Sequence, residues 1–278
     1  MTIKFYKEFG ELGYLANYSN HGFYKDGIYY KTVEHYYQAC KFDNVEIRNK
    51  IINADTPREA SNIGRDRNNI RVDNFKSIKN QVMLEGILEK FRQNKDILYK
   101  LIDTKDEDIA EATVDEYYWG IGKDGSGENN IGKILVKVRN ILKKELLDNI
   151  IDNCDDEVYI LGSDDYDGIV SSYILSNILN KLNINSHFCI LNSYTYDSDY
   201  NPEVVSDTKD KKFLLINTNI DNINKVGCIS NKYYDVDNII CMTYDTTRLV
   251  IYNLFKDDYN FSNEELNLIN YSSKLYHK

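Results

Sequence analysis

The sequence predicts two domains: an α+β, mostly helical first half (residues 1–147) and an α/β second half (148–278) built on a parallel sheet. Three observations carry this prediction. Apolar residues recur at helical spacing through much of 32–147, with capping residues where the periods begin. An acidic, polar stretch, DNIIDNCDDE, interrupts that pattern near 148–156. Beyond it, short apolar runs alternate with a helical segment, the order expected of parallel strands joined by crossovers. At 278 residues the chain has room for two cores.

Residues 1–30 alternate short apolar runs with Gly and Asn and read as brief strands or turns. Thr32 is placed to cap a helix running to about Phe42. TPRE at 56–59 combines a Thr cap, a proline at the first helical position and a glutamate three beyond the cap. Further helical patterns cover about 73–92, 94–102 and 131–147, and glycine-rich WGIGKDGSGENNIG (119–132) forms a loop between the last two. In the second half, EVYILGSDDYDGIVSSYILSNILNKL (157–182) reads as a buried strand, an acidic turn and a helix. The runs SHFCIL, KFLLIN and NIICM supply further strands.

Composition narrows the function classes. No apolar run approaches the roughly 20 residues of a membrane span, and the N-terminus MTIKFYKEFG lacks a signal-peptide pattern, so a cytoplasmic protein with no membrane partner is expected. The five cysteines stand far apart, with no CxxC pair, and read as buried free thiols; no cofactor is implied. The net charge of −10 argues against a generic nucleic-acid coat. That charge is unevenly divided, with 24 basic against 23 acidic residues in 1–147 and 10 against 21 in the remainder.

The stretch YYKTVEHYYQACKF (29–42) sets a glutamate among aromatic rings. Glu34, Gln38 and Lys41 are separated by four and then three positions, which puts them on one helix face. With Thr32 as cap, Glu34 falls in the first turn, where the helix dipole favours a negative charge by roughly 0.3–1 kcal/mol, so an ionised carboxylate is expected. Lys41 could orient Glu34, bind phosphate or attack an anomeric carbon as a free amine, and spacing leaves all three open. A solvated face of an amphipathic helix is the plain alternative for the pair. Trp119, the sole tryptophan, precedes Gly120 and Gly122, which sets a flat ring beside a backbone that a ligand can approach closely.

Five stretches taken together resemble the NADAR (YbiA-like) family over residues 3–147: LANYS (15–19), TVEHYYQACKF (32–42), ASNIGRDRNNIRVDNFKSIKNQVM (60–83), IAEATVDEYYWGIG (109–122) and GSGENNIGKILVKVR (125–139). The resemblance implies an N-glycosidase that cleaves a ribose C1′–N bond, acting on ADP-ribosylated guanine in nucleotide or nucleic acid or on riboflavin-pathway intermediates. A non-catalytic sensor of ADP-ribose or another nucleotide is a third expectation. Glu34 matches the family's catalytic glutamate, with Lys41 beside it. Trp119 and Asn129 match substrate-site positions; Glu111 and Asp115 also match the family, and Asp115 could accept a hydrogen bond from a ribose hydroxyl or cap the loop. Asn17, Gln38, Arg65, Gly120 and Gly122 are taken with them as substrate-binding candidates. Phe75 stands where the riboflavin-pathway enzymes carry a second tryptophan, which keeps a stacking face but loses the indole N–H. Arg65, Arg67, Arg71, Lys76 and Lys79 concentrate positive charge suited to phosphate, or form a solvated face.

Residues 157–260 resemble DHH phosphoesterases more narrowly. YILGSDDYDGIVSSYIL (159–175) is similar to their metal-binding first motif, with Ser163 in the histidine position and Asp165, Asp167 and Gly168 in place. TYDTTRLVIYNLF (243–255) is similar to the helix after their third motif, but the Asp-His-His sequence is absent; the corresponding segment reads GCISNKYYDVDN. Two aspartates supply too few ligands for a hard metal, so Asp165 and Asp167 are weak metal candidates and an inactive accessory domain is expected. Its turn at Asp164–Gly168 could take a nucleotide, or the domain a protein partner, or the turn could be a plain acidic loop.

Overall fold

The structure, a computed structural model, describes residues 2–153, 157–191, 212–216, 239–242, 247–257 and 259–271. The chain divides into two compact units, Met1–Lys143 and Lys144–Lys278.

The first unit begins with β1 (Thr2–Phe5), a 3-10 turn (Gly13–Leu15), and the strands β2 (Phe23–Lys25) and β3 (Ile28–Tyr30). Strands β2 and β3 form an antiparallel hairpin closed by Asp26 and Gly27, both at positive φ (52° and 77°), the backbone a tight two-residue turn requires. Five helices follow: α1 (Val33–Ala39), α2 (Val45–Asn53), α3 (Pro57–Arg65), α4 (Phe75–Gln93) and α5 (Lys95–Asp103). Strand β4 (Asp108–Glu111) then pairs in parallel with β1, Phe5 opposite Glu111, and α6 spans Asn130–Asn153.

The caps act as the sequence suggests. Thr32 and Thr56 accept hydrogen bonds from the amides of His35 and Glu59, opening α1 and α3. Helix α1 lies at the centre of the unit, and all seven of its residues are buried. His35 is consumed in packing: its ring nitrogens meet Thr32 Oγ1 at 2.8 Å and the Ala54 carbonyl at 3.1 Å. Tyr36 packs against Phe23 and Tyr30, and its hydroxyl donates to Glu85. A methyl group at Gly64 would stand 2.0 Å from Gln38 Oε1, so the glycine is what lets α3 close on α1.

Two expectations need correction, and one helix was not foreseen. Helix α1 stops at Ala39 rather than near Phe42, because the amides of Lys41 and Phe42 turn back to the Gln38 and Ala39 carbonyls and Lys41 O accepts from Val72 N instead. Helix α2, capped by Asn44 and burying Ile51, was not foreseen. The acidic stretch near 148–156 does not end the preceding helix at 147, since α6 continues to Asn153.

The second unit holds a four-stranded parallel sheet of β5 (Glu157–Ser163), β6 (Asn185–Leu191), β7 (Lys212–Ile216) and β8 (Ile239–Met242), in the order β6-β5-β7-β8. Helix α7 (Tyr166–Lys181) follows β5 and buries Val170, Ile174, Leu175, Ile178 and Leu179. Helices α8 (Thr247–Phe255) and α9 (Asn263–Asn270) complete it, α9 opening on a capping box between Ser262 and Glu265. The parallel sheet agrees with the α/β expectation, whereas the DHH likeness rests on two sequence segments alone. GCISNKYYDVDN and residues 243–246 lie outside the described residues.

Candidate active site

Glu34, in the first turn of α1, is 4% exposed, and both of its oxygens are held. Asn17 Nδ2 donates to Oε2 at 2.7 Å and Gln38 Nε2 donates to Oε1 at 2.6 Å. The Glu34 amide in turn donates to the Asn17 carbonyl at 3.1 Å, so one loop residue fixes both the main chain and the carboxylate. Burial pushes the Glu34 pKa up, and the Gln38 amide, the Ser61 hydroxyl, the Lys41 ammonium and the Arg65 guanidinium offset part of that rise. The net direction opposes the ionisation expected from the helix dipole, because desolvation outweighs a half-charge at the helix start. Ser61 Oγ is buried beside the carboxylate without a hydrogen bond of full geometry.

Lys41 is 7% exposed and lies just beyond α1, so it meets Glu34 from the turn rather than from a shared helix face. Its Nζ sits 5.1 Å from the Tyr37 ring centroid and 5.7 Å from that of Phe75. Burial lowers its pKa to about 8; Arg71 and Arg65 add to the fall and Glu34 opposes it. An appreciable share of the amine is therefore uncharged near neutral pH.

An aromatic wall adjoins this pair. Tyr37 meets Phe75 at 5.3 Å and Trp119 at 5.7 Å, both edge to face, and Tyr118 meets Trp119 at 4.9 Å. Lys79 Nζ stands 3.1 Å from the centre of the Tyr118 ring. The loop behind Trp119 depends on its glycines. A methyl group at Gly120 would lie 2.7 Å from Glu111 O, the atom that accepts from Ile121 N at 2.8 Å, and Gly122 has φ 66°.

Asn129 braces the same loop. Its amide donates to the Ile109 carbonyl at 2.8 Å and accepts from Glu111 N at 3.1 Å, so it is engaged by β4 rather than free for a ligand. Asp115 is exposed at the start of the loop. Arg65 is exposed yet close enough to act on both Glu34 and Lys41, and Arg71 Nη2 donates to Gly64 O at 3.1 Å.

The structure thus gathers Asn17, Glu34, Gln38, Lys41, Arg65 and Phe75, with Trp119 joined to them through Tyr37. Two residues beyond that set stand out. Glu111, matched in sequence but given no role, has its pKa raised to about 7, first by burial, then by the charges of Glu116 and Glu34 against the lowering effect of Thr113. Lys90 is fully buried and bonded to the loop that carries Asn17. Its signal in the sequence is a charged residue set at helical spacing among Met83, Ile87 and Phe91.

In the second unit, Asp165 accepts from Gly168 N and Ser163 Oγ, both at 2.7 Å, and caps α7. Asp167 accepts from the Thr247 amide at 2.6 Å and pairs with the Arg248 guanidinium, anchoring the start of α8. Both carboxylates are engaged in holding helices. Among the described residues no group of His, Cys, Asp and Glu is arranged to hold a metal ion. No described helix is long and apolar enough to cross a membrane.

Comparison with known proteins gives this geometry a context. The family model for the NADAR domain matches residues 4–143. N-glycosidase Npun_R5314 of Nostoc punctiforme is 38% identical over 149 residues, covering 52% of this chain and 96% of the relative. N-glycosidase YbiA of Escherichia coli is 34% identical, covering 51% of this chain and 89% of its own. The NMR structure of E. coli YbiA aligns with a TM-score of 0.50 over 52% of this chain and 87% of that one. Riboflavin biosynthesis protein VVA0006 of Vibrio vulnificus is 32% identical over 54% of this chain, which spans only 41% of that relative. Through residues 4–143 this chain belongs to the NADAR domain family.

Proposed function

We propose that the first unit is an N-glycosidase that hydrolyses a ribose C1′–N bond, with ADP-ribose carried on guanine, in nucleotide or nucleic acid, as its substrate. The observation that carries this reading is a buried carboxylate, fixed by two amide donors, beside an amine whose pKa falls to about 8.

Breaking a C1′–N bond builds positive charge at the anomeric carbon. A carboxylate whose two oxygens are already oriented stabilises that charge with no reorganisation. Lys41, as the free amine, attacks C1′ as the C1′–N bond breaks, and the proton lost from Nζ passes by way of the Glu34 carboxylate to the departing base nitrogen. Water then adds to C1′, the Nζ–C1′ bond breaks, and the net reaction is hydrolysis. The face of Trp119 offers the base a stacking surface, and Arg65, Arg71 and Lys79 offer the diphosphate its counter-charge. The second unit is given no step in this chemistry.

The name of the Vibrio relative, a riboflavin biosynthesis protein, favours a second reading, cleavage of a phosphoribosyl aminopyrimidine of riboflavin biosynthesis. Phe75 in place of tryptophan counts against it. A mass-spectrometric product assay decides, with wild-type protein beside Glu34→Gln, each offered ADP-ribosylated guanine DNA or nucleotide and, separately, the pyrimidine intermediate. Free ADP-ribose released by wild type alone is the expected result. Base release from the intermediate alone would favour the riboflavin reading, and no product from either would leave a nucleotide-binding sensor.

A further inference from the structure

Lys90, in the last turn of α4, is 0% exposed. Its ammonium donates to Tyr14 O at 2.7 Å, Ala16 O at 3.0 Å and Ser19 Oγ at 3.1 Å. Those acceptors flank Asn17 on both sides. Three donors on a single tetrahedral centre fix the path of residues 14–19, and a neutral side chain of the same length would take the charged donor from all three acceptors at once. Asn17 holds Glu34 through both side chain and main chain.

The geometry points to Lys90 as a positioning residue for Glu34, acting through the 14–19 loop to hold the Asn17 amide against the carboxylate. In its catalytic consequence this rests on the N-glycosidase reading above; in its structural part it stands alone. Burial lowers the Lys90 pKa to about 7, and the three oxygens around Nζ favour the charged form that uses them all.

The test follows the Glu34 carboxyl itself by ¹³C NMR titration in wild type, Lys90→Met, Asn17→Ala and the double variant. Loss of an amide donor disfavours the carboxylate, so Asn17→Ala should move the Glu34 titration upward. Lys90→Met should move it in the same direction, and adding Lys90→Met to Asn17→Ala should move it no further. On substrate, Lys90→Met should lower kcat by about 10²-fold with little change in KM, the cost of a misplaced group rather than of lost binding. A Glu34 titration in Lys90→Met that matches wild type, or shifts that add in the double variant, would overturn the inference. If Lys90→Met does not fold, Ser19→Ala removes one acceptor and carries the same test: an upward shift supports the role and an unchanged curve overturns it. A protein that cleaves no N-glycoside but whose Glu34 responds to Lys90 would remove the functional reading and leave the positioning role standing.

Discussion

If Lys41 acts as a free amine, the rate must follow its titration. With a pKa of about 8, roughly 1% of the amine is uncharged at pH 6, about 9% at pH 7 and about half at pH 8. Single-turnover rates should therefore rise about tenfold from pH 6 to 7, about fivefold from pH 7 to 8, and less than twofold above that. Four contributions set the inflection, and one of them can be removed with rates compared at saturating substrate: Arg71 is exposed and lowers the Lys41 pKa by like-charge repulsion. Arg71→Gln should shift the inflection upward and slow the enzyme at pH 7, while the rate at pH 9 or above moves little. Lys41→Arg, which keeps the charge but offers no lone pair at these pH values, should be inactive throughout. The assay is rapid-quench release of the base, with borohydride added in parallel to trap any imine between sugar and Lys41. A flat profile between pH 6 and 8, or an active Lys41→Arg, would refute the role of the amine and return Lys41 to charge placement.

Glu34→Gln should keep ligand affinity within a few fold and lower kcat by about 10²-fold or more, measured by calorimetry beside turnover, since a neutral amide cannot counter the charge at C1′. Trp119→Ala should weaken binding of the base-bearing ligand by about 1–3 kcal/mol; an unchanged Kd would make the ring a packing residue. Gly64→Ala should dislodge Gln38 from Glu34, costing about 1–3 kcal/mol of stability along with activity, read by denaturant midpoint and turnover. Glu111 binds its proton more tightly folded than unfolded, so its favourable contribution is complete below the unfolded value of about 4.5 and is lost as the pH rises through about 7. Glu111→Gln should accordingly raise the melting temperature at pH 8 and do little at pH 4, the gain at pH 8 being at most about 3 kcal/mol before relaxation.

Local signals made much of this molecule readable from its sequence, and non-local ones did not. The caps at Thr32 and Thr56 and the glycine loop at 119–132 are contiguous chemistry, so their residues announced them. Helix α2 was missed although it opens on an Asn44 cap, since most of its surface faces solvent and Ile51 is its buried residue. In the site, Glu34 and Gln38 were legible because four residues of helix put them together. The end of α1 before Lys41 was not, because it depends on a bond from Val72, which lies thirty-one positions further along the chain. The upward pKa of Glu34 was also hidden. A cap and a dipole are visible in a string of letters, whereas desolvation depends on what α3 and the 14–19 loop bring over the carboxylate.

The two acidic features of the chain show why environment decides what a carboxylate does. Glu34 is enclosed by amides that neutralise nothing; each donates a hydrogen bond without a full charge, so the carboxylate keeps its capacity to answer a developing cation. Asp167 is enclosed by a guanidinium and two amides at a helix start, and its charge is already answered. The Ser-Asp-Asp-Tyr-Asp-Gly motif looked like a worn metal site because spacing alone cannot tell an open carboxylate from a satisfied one. Removing the partner should expose the difference: Arg248→Met takes the guanidinium from the buried Asp167 carboxylate, a change that costs about 3–5 kcal/mol when a buried pair is broken. The double variant Arg248→Met/Asp167→Asn should recover a large part of that loss, as judged by thermal unfolding of the full chain followed in the second unit. Equal destabilisation in the single and double variants would mean that the Arg248 bonds to the Ile269 and Tyr271 carbonyls, and not the pair with Asp167, carry the loss.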